Sequence, residues 1–431
     1  MSFEKLKETV IDRSLCTHCG TCVGICPEGS LAIHDPLGKC IPVLVKDCSK
    51  CGRCLEICPG GGIDFSQFNK EIFGKTSSSS LGNFLKLYMA HAMDKEIRIR
   101  ASSGGVVTAL LLHLLEKGEI DGAVVLDEDK SSPWMPKVKI AHNKEEILSA
   151  TQSKYVLSPI NTILKEIREK DKRFAIVALP CQVHGLRKLQ GVDSEFKQKV
   201  KYIIGLYCGN TLYFQAVKSL LDRFKIKDLS VLQSVKYREG KWPGNFQVKL
   251  KDGRMFRVDK FTFNYLSFFY TVPRCLWCVD LANELSDVSV GDGWLYKDKR
   301  GDLGWSVLIC RTSKGEKIVE SAQKNGILDI EKISEQEALD MHSHLLDYKK
   351  TGALLRIERR KDRGFAVPYY GLVALPSTLK RKLLEYFLDY ILWISLLPLS
   401  AKIINRLPLP LLRIVLHKGR ELLRKGTKIR E

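Results

Sequence analysis

Apolar and polar positions follow three different patterns along this chain. Up to residue 75 the apolar runs are short and broken by Pro27, Pro36, Pro42, Pro59 and Gly60–Gly62, as in a small turn-rich module. KTSSSSLGN (75–83) reads as a linker. From about residue 84 the texture becomes α/β. SSGGVVTALLLHLLEKGEIDGAVVL (102–126) predicts loop, helix, turn and strand. RFAIVAL (173–179) and KYIIGLYC (201–208) are β-rich runs of buried-strand length. FQVKLKDGRMFRV (246–258) predicts a hairpin around Lys251-Asp252-Gly253. DVSVGD (287–292) and WSVLIC (305–310) predict two further strands, and the core is expected to end near Val367.

The last segment differs again. YILWISLLPLSA (390–401) is apolar and uncharged but only 12 residues long, where a spanning helix needs about 20. Asp389 and Lys402 bound it, Pro398 interrupts it, and Pro408 and Pro410 break the stretch that follows. A basic, apolar, broken segment suits a membrane interface or a hydrophobic partner groove. The alternative is a helical pair packed back on the core.

Charge sharpens that choice without settling it. The net charge is +20, and from Arg356 to Glu431 there are 17 Lys+Arg against 6 Asp+Glu, so more than half of the excess lies there. No nucleic-acid motif accompanies it, which leaves a solvated basic surface or the attraction of acidic partners or anionic ligands. SFEKLKETVIDRS after Met1 has no apolar h-region, so no signal peptide is expected. The expected location is cytoplasmic, with peripheral contact at the cytoplasmic membrane face as an option for the tail. A cysteine-rich chain of that kind is expected to bind metal, not to carry disulfides.

There are 14 cysteines, nine of them before residue 60. CTHCGTCVGICP places Cys16, Cys19, Cys22 and Cys26; CSKCGRCLEICP places Cys48, Cys51, Cys54 and Cys58. Each follows Cys-x2-Cys-x2-Cys-x3-Cys-Pro, the bacterial ferredoxin spacing, whose fourth cysteine ligates the other cluster. Cys16, Cys19, Cys22 and Cys58 are therefore expected to hold one 4Fe-4S cluster, and Cys48, Cys51, Cys54 and Cys26 the second. Zinc modules use pairs of Cys-x2-Cys, not this triple step. Cys40 lies outside the pattern and is expected to be a buried thiol.

Four more cysteines sit where ligands bind in α/β folds. Cys181 and Cys208 directly follow predicted strands, and Cys275 and Cys278 form a Cys-x-x-Cys. Strand ends converge on one edge. Four thiolates suit zinc or a third cluster, and spacing alone does not choose; the ferredoxin module favours iron. Ser102-Ser103-Gly104-Gly105 opens an apolar helix, where backbone amides suit a phosphate, with Thr108 one turn in. A plain helix cap is the competing reading.

These runs together resemble the coenzyme F420 hydrogenase/dehydrogenase beta-subunit family. SSGGVVTALLLHLLEKGEIDGAVV, TQSKYVLSP, ALPCQVHGLRKL, GLYCGN and CLWCVDLANELSDVSVGD follow its order, with a ferredoxin module fused in front. The resemblance covers roughly residues 10–360. It implies FAD and a 4Fe-4S cluster in the core, held by Cys181, Cys208, Cys275 and Cys278. It implies hydride exchange between FAD and coenzyme F420, a deazaflavin, with electrons relayed to or from ferredoxin or a larger redox complex. Ser103, Gly104, Gly105 and Thr108 become flavin-phosphate candidates, and Lys154 and Asn210 become flavin neighbours. TQSKY has Gln152 where the family form has glycine, which puts the backbone there in question. His184 and Asp292 are read as a satisfied polar residue and a turn cap.

The expected fold class is α/β (α+β overall). A ferredoxin module over 1–75 and a linker over 76–83 precede a mixed α/β flavin-binding core over 84–367, divided near 175, and a basic amphipathic tail over 368–431. Two other functions stay open: a ferredoxin-dependent FAD and iron–sulfur reductase of another organic substrate, and a non-catalytic electron-transfer subunit.

Overall fold

The computed structural model describes residues 2–408, except 36, 130, 295–302 and 375, and four isolated helical positions beyond. In the N-terminal module, β1 (Leu31–His34) and β2 (Ile41–Leu44) pair antiparallel. Each cysteine run ends in one helical turn, Thr21–Gly24 or Arg53–Glu56. Gly20 and Gly52 lead into these turns at φ 84° and 79°, a left-handed backbone that side chains other than glycine rarely adopt. The sequence repeat is thus a structural repeat.

The core sheet has eight strands: β3 (Lys86–Ala92), β4 (Gly122–Glu128), β5 (Pro136–Ala141), β6 (Phe174–Ala178), β7 (Val200–Leu206), β11 (Val288–Asp292), β12 (Ser306–Cys310) and β13 (Leu328–Lys332). Their order is β13-β3-β12-β11-β7-β6-β4-β5. The centre, β11-β7-β6-β4, is parallel, and the flanking pairs are antiparallel. Strands buried on both faces are apolar almost throughout, which is why 173–179 and 201–207 lack alternation. Leu110 and Leu114 of helix Val106–Glu116 and Val319 of helix Ser313–Lys324 cover one face. Val183, Leu186 and Leu189 of helix Pro180–Val192 cover the other, together with Ile25, Ile57, Ile63 and Phe65 from the N-terminal module. That module is packed into the core, not tethered beside it. A separate three-stranded sheet joins β8 (Leu232–Glu239), β9 (Asn245–Leu250) and β10 (Met255–Asp259). Its last two strands form the predicted hairpin, and helix Lys260–Tyr270 backs it through stacked Phe246 and Phe263 rings at 4.8 Å.

The 75–83 stretch is held in place. Leu81 is fully buried, and the buried Arg311 guanidinium donates to the carbonyls of Leu81 and Asn83, both at 2.8 Å. In the tail, helices Leu379–Ser395 and Pro398–Arg406 pack back on the core along one face. Leu392 sits against Leu276 and Trp277. Among the described residues no helix is long and apolar enough to cross a membrane.

This topology gathers one edge. Parallel β6, β7 and β11 end there at Ala178, Leu206 and Asp292. β12 runs the other way, so its first residue, Ser306, lies opposite Asp292 and Ala90. The Ser102–Gly105 loop joins them, because Ala92 N–H donates to the Gly104 carbonyl at 2.7 Å.

Candidate metal centres and flavin crevice

The two ferredoxin runs exchange their fourth cysteines in space. Burial pushes the Cys16 and Cys22 thiols up, and Cys58 is the first charged neighbour of each. Burial pushes Cys54 up to about 11, and Cys48, Cys51 and Cys26 add to it. So Cys58 joins Cys16, Cys19 and Cys22 in what we call the near set, and Cys26 joins the far set. Backbone N–H groups of His18, Ser30 and Gly60 donate to the sulfurs of Cys16, Cys26 and Cys58 at 3.4, 3.3 and 3.3 Å. Cys22 and Cys58 also feel Cys54, so the two sets adjoin. Cys51, in the far set, is exposed. Crowded buried thiols of this kind become stable thiolates when iron supplies the positive charge.

The core cysteines meet as well. Cys181 opens the helix after β6, Cys208 follows β7, Cys275 lies within the turn Pro273–Trp277, and Cys278 caps it. All four border one cavity with His184, Arg274 and Lys349. Among the described residues, no three His, Cys, Asp or Glu side chains converge tightly enough to hold a single ion; the four thiols surround a wider shared space. Burial pushes the Cys208 thiol up to about 12, against the pull of Lys349. Burial also raises Cys181, whose first charged neighbour is Cys19 of the near set. The sequence is thus core, near, far, ending at the surface.

Asn161 fixes this adjacency. Its backbone N–H donates to the Cys19 carbonyl at 3.0 Å. Its side-chain amide donates to Thr21 Oγ1 at 2.8 Å and to the Gln182 carbonyl at 2.9 Å. Contact here is close enough that a Cβ on Gly24 would stand 2.0 Å from the Asn161 carbonyl oxygen. Two cations are buried beside the core set. Arg274 bonds Leu15 and Gly60 of the N-terminal module at 3.0 and 3.3 Å and Trp277 of the cysteine loop at 3.2 Å. Lys349 Nζ donates to the Cys275 carbonyl at 3.1 Å. Burial works against its charge, but Cys278, Cys275 and Cys208 outweigh that and hold it above the usual lysine value.

His184 is a buried partner of Asp280, Nε2 to Oδ2 at 3.0 Å. Asp280 also accepts from the Glu284 N–H at 3.2 Å, and Glu284 pairs with Lys350. Burial pushes Asp280 up, but its bond to His184 and the charges of His184, Lys350 and Arg311 outweigh it and hold the carboxyl low.

The flavin candidates divide into two kinds. Ser103 spends its hydroxyl on the Trp305 carbonyl, and the Gly104 N–H donates to Ser306 Oγ at 3.0 Å. A Cβ on Gly104 would stand 2.5 Å from the Ala90 carbonyl oxygen, so strand packing alone requires glycine there. Gly105 caps helix Val106–Glu116 at φ 77°, and Thr108 is half-buried on its first turn. Lys154 is half-buried, and desolvation pulls it down to about 8; its ammonium donates to the Ala150 and Thr151 carbonyls, at 3.0 and 2.9 Å. Gln152 adopts φ 72°, the glycine-favouring backbone, and Ser153 N–H donates to Ser102 Oγ at 2.8 Å, which ties the two loops together. Among the described residues, two buried polar atoms here lack a partner: Gln152 Oε1 and Asn210 Oδ1. Buried polar atoms are normally satisfied, so these fit the polar groups of a bound flavin.

Asp292 is not a turn cap. Arg238 and Lys260 each reach its Oδ2 at 3.1 Å, overcome burial and hold it well below the usual carboxylate range. The sequence reading missed Asn161, Arg274, Lys349, Arg238 and Lys260. Only Arg274, beside Cys275, had a local signal.

Known proteins match this arrangement. The family models describing the coenzyme F420 hydrogenase/dehydrogenase beta subunit match residues 87–165 (N-terminal part) and 171–336 (C-terminal part), and a 4Fe-4S dicluster domain matches 8–59. The coenzyme F420 hydrogenase subunit beta of Methanothermobacter thermautotrophicus is 30% identical over 67% of this chain and 99% of its own length. The coenzyme F420-dependent sulfite reductase of Methanocaldococcus jannaschii is 28% identical over 89% of this chain; the match spans only 56% of that longer protein. A chain in the structure of the F420-reducing NiFe hydrogenase complex from Methanosarcina barkeri superposes with a TM-score of 0.55 at 27% identity, covering 68% of this chain and 98% of that one. This chain belongs to the coenzyme F420 hydrogenase/dehydrogenase beta-subunit family, with a 4Fe-4S dicluster domain at its N-terminus.

Proposed function

We propose that this chain is a cytoplasmic iron–sulfur flavoprotein oxidoreductase that exchanges hydride between coenzyme F420 and FAD. It passes electrons singly through three 4Fe-4S clusters to or from a redox protein partner such as ferredoxin. The observation that carries this reading is the contact between the core and near cysteine sets, bridged by Asn161. When bound, FAD supplies the step from two-electron hydride chemistry to one-electron transfer.

The chain's own residues set the conditions. Cys181, Cys208, Cys275 and Cys278 would hold the core cluster beside the strand-end edge. Gln152, Lys154 and Asn210 would hold the polar groups of the flavin in the crevice. Lys349 and Arg274 place positive charge against the core set, which favours its reduced form. Exposed Cys51 places the far set at the surface, where a partner docks. That same exposure, with a multisubunit complex among the structural neighbours, favours as second reading an electron-transfer subunit of a larger assembly.

Stopped-flow mixing of the fully loaded protein with reduced coenzyme F420 tests the first reading. Bleaching of the flavin band is expected. A fully loaded protein that does not bleach removes the substrate assignment and leaves the second reading.

A further inference from the structure

Large apolar side chains left in solvent are concentrated at one end of this chain. Of the 24 described, 16 lie from Phe365 onward. On helix Leu379–Ser395 exposed Leu383, Phe387, Tyr390, Ile391 and Ile394 fall on one stripe, at the spacing of a single helix face. Phe387 is 59% exposed, whereas Glu385, Leu388, Leu392 and Ser395 on the other side are at most 7% exposed. Leu399 and Ile403 continue the stripe on helix Pro398–Arg406, at 66% and 52%.

The helices are not free to roll this stripe inward. Arg356 pairs with Glu385, both fully buried. Arg381 ties Glu385 to Asp347, the latter at 2.7 Å, and Arg359 holds Asp389 at 3.1 Å. Asn405 Oδ1 accepts from Tyr270 OH at 3.1 Å. A fixed support therefore presents a continuous apolar face, and such faces mark interaction sites.

The rim of the face identifies its occupant. Lys380, Lys402 and Arg406 are exposed around it, while Glu385 is buried and Asp389 is half-buried and paired. Tyr390 and Trp393 stack at its border, 5.9 Å apart. Apolar side chains framed by aromatic rings and cations match the headgroup boundary of an anionic bilayer. A second copy docked on the same face would bring like charges together.

We propose that the two tail helices lie in the plane of an anionic membrane surface, with the Leu383–Ile403 stripe in the headgroup boundary and Lys380, Lys402 and Arg406 on lipid phosphates. The docking is independent of the redox reading. It sets the core cysteine loop close to the membrane, because Leu392 backs Leu276 and Trp277.

Flotation of the loaded, full-length protein with vesicles tests this. Wild type should float with phosphatidylcholine vesicles containing phosphatidylglycerol, and much less with phosphatidylcholine alone. Combined Phe387→Ser, Ile391→Ser and Ile394→Ser should retain the visible cluster absorption and lose at least about tenfold in bound fraction, from the apolar area removed. Wild type that stays at the bottom overturns the proposal, as does a triple variant that floats like wild type. Equal flotation with both vesicle types overturns the anionic component. A wild-type dimer that does not float, and that the triple variant dissociates, assigns the face to a second copy and overturns it equally.

Discussion

Asn161 and Thr21, 140 positions apart, share a buried 2.8 Å hydrogen bond that joins the N-terminal module to the core. Thr21 lies between Cys19 and Cys22, and the same amide group reaches the carbonyl of Gln182, next to Cys181. One side chain thus spans the loops of two cysteine sets. Asn161→Leu leaves the Thr21 hydroxyl and the Gln182 carbonyl without this donor in a dry interface. It should cost about 2–4 kcal/mol in urea unfolding, and slow electron arrival at the near set after flavin reduction. An unchanged rate in a folded variant would sever this contact from the relay.

Lys349 puts a buried positive charge against the Cys275 carbonyl and near three core sulfurs. Lys349→Met removes the charge while keeping most of the bulk. The core cluster's midpoint should move negative by on the order of 50–100 mV, with the other two clusters unmoved. Redox titration followed by electron paramagnetic resonance reads this directly. A positive shift, or an equal shift of all three, contradicts the assignment.

Glu284 supplies a pH dependence. Burial, with Asp280 adding, lifts its carboxyl from its ordinary 4.5 to about 7 against the pull of Lys350. A raised folded-state value means that the folded protein binds this proton more tightly than the unfolded chain does. The stability it confers is complete below about pH 4.5 and lost as pH rises through about 7. Glu284→Gln removes this dependence. The difference in Tm between wild type and variant should therefore fall across that window, and a flat difference would count against the buried acid.

Gln152 holds a left-handed backbone at φ 72° while its Nε2 donates to Glu239 at 2.9 Å. Glycine relieves the backbone but loses that bond and gains unfolded-state entropy, so Gln152→Gly should be neutral within about 1 kcal/mol. Gln152→Val keeps the strain with a β-branched side chain and should cost about 1–2 kcal/mol. Thermal unfolding of both variants distinguishes the cases; equal losses would mean that the side-chain bond, not the backbone, decides.

What the sequence made legible follows from how locally each feature is encoded. A cubane forces its ligands into close steps along the chain, so the eight ferredoxin cysteines stand out. Cys181 and Cys208 were visible because apolar runs of strand length precede them. Asn161, Lys349 and Arg238 were not, because no local period records a contact between residues far apart in the chain. β3 escaped notice for the same reason: its partners, β12 and β13, lie more than 200 residues away. The serine-rich 75–83 stretch reads as a spacer until Arg311, from β12's far end, takes its carbonyls. For the tail the sequence offered two readings: the packed pair is what the helices form on their inner face, and the exposed outer face carries the membrane proposal.

The central claim is that Cys181, Cys208, Cys275 and Cys278 hold a third cluster next to the near set. Iron, sulfide and zinc content of anaerobically purified wild type and Cys208→Ala tests it most directly. About twelve irons per chain are expected in wild type and about eight in the variant, with no zinc in either. About eight irons and one zinc in wild type would contradict it.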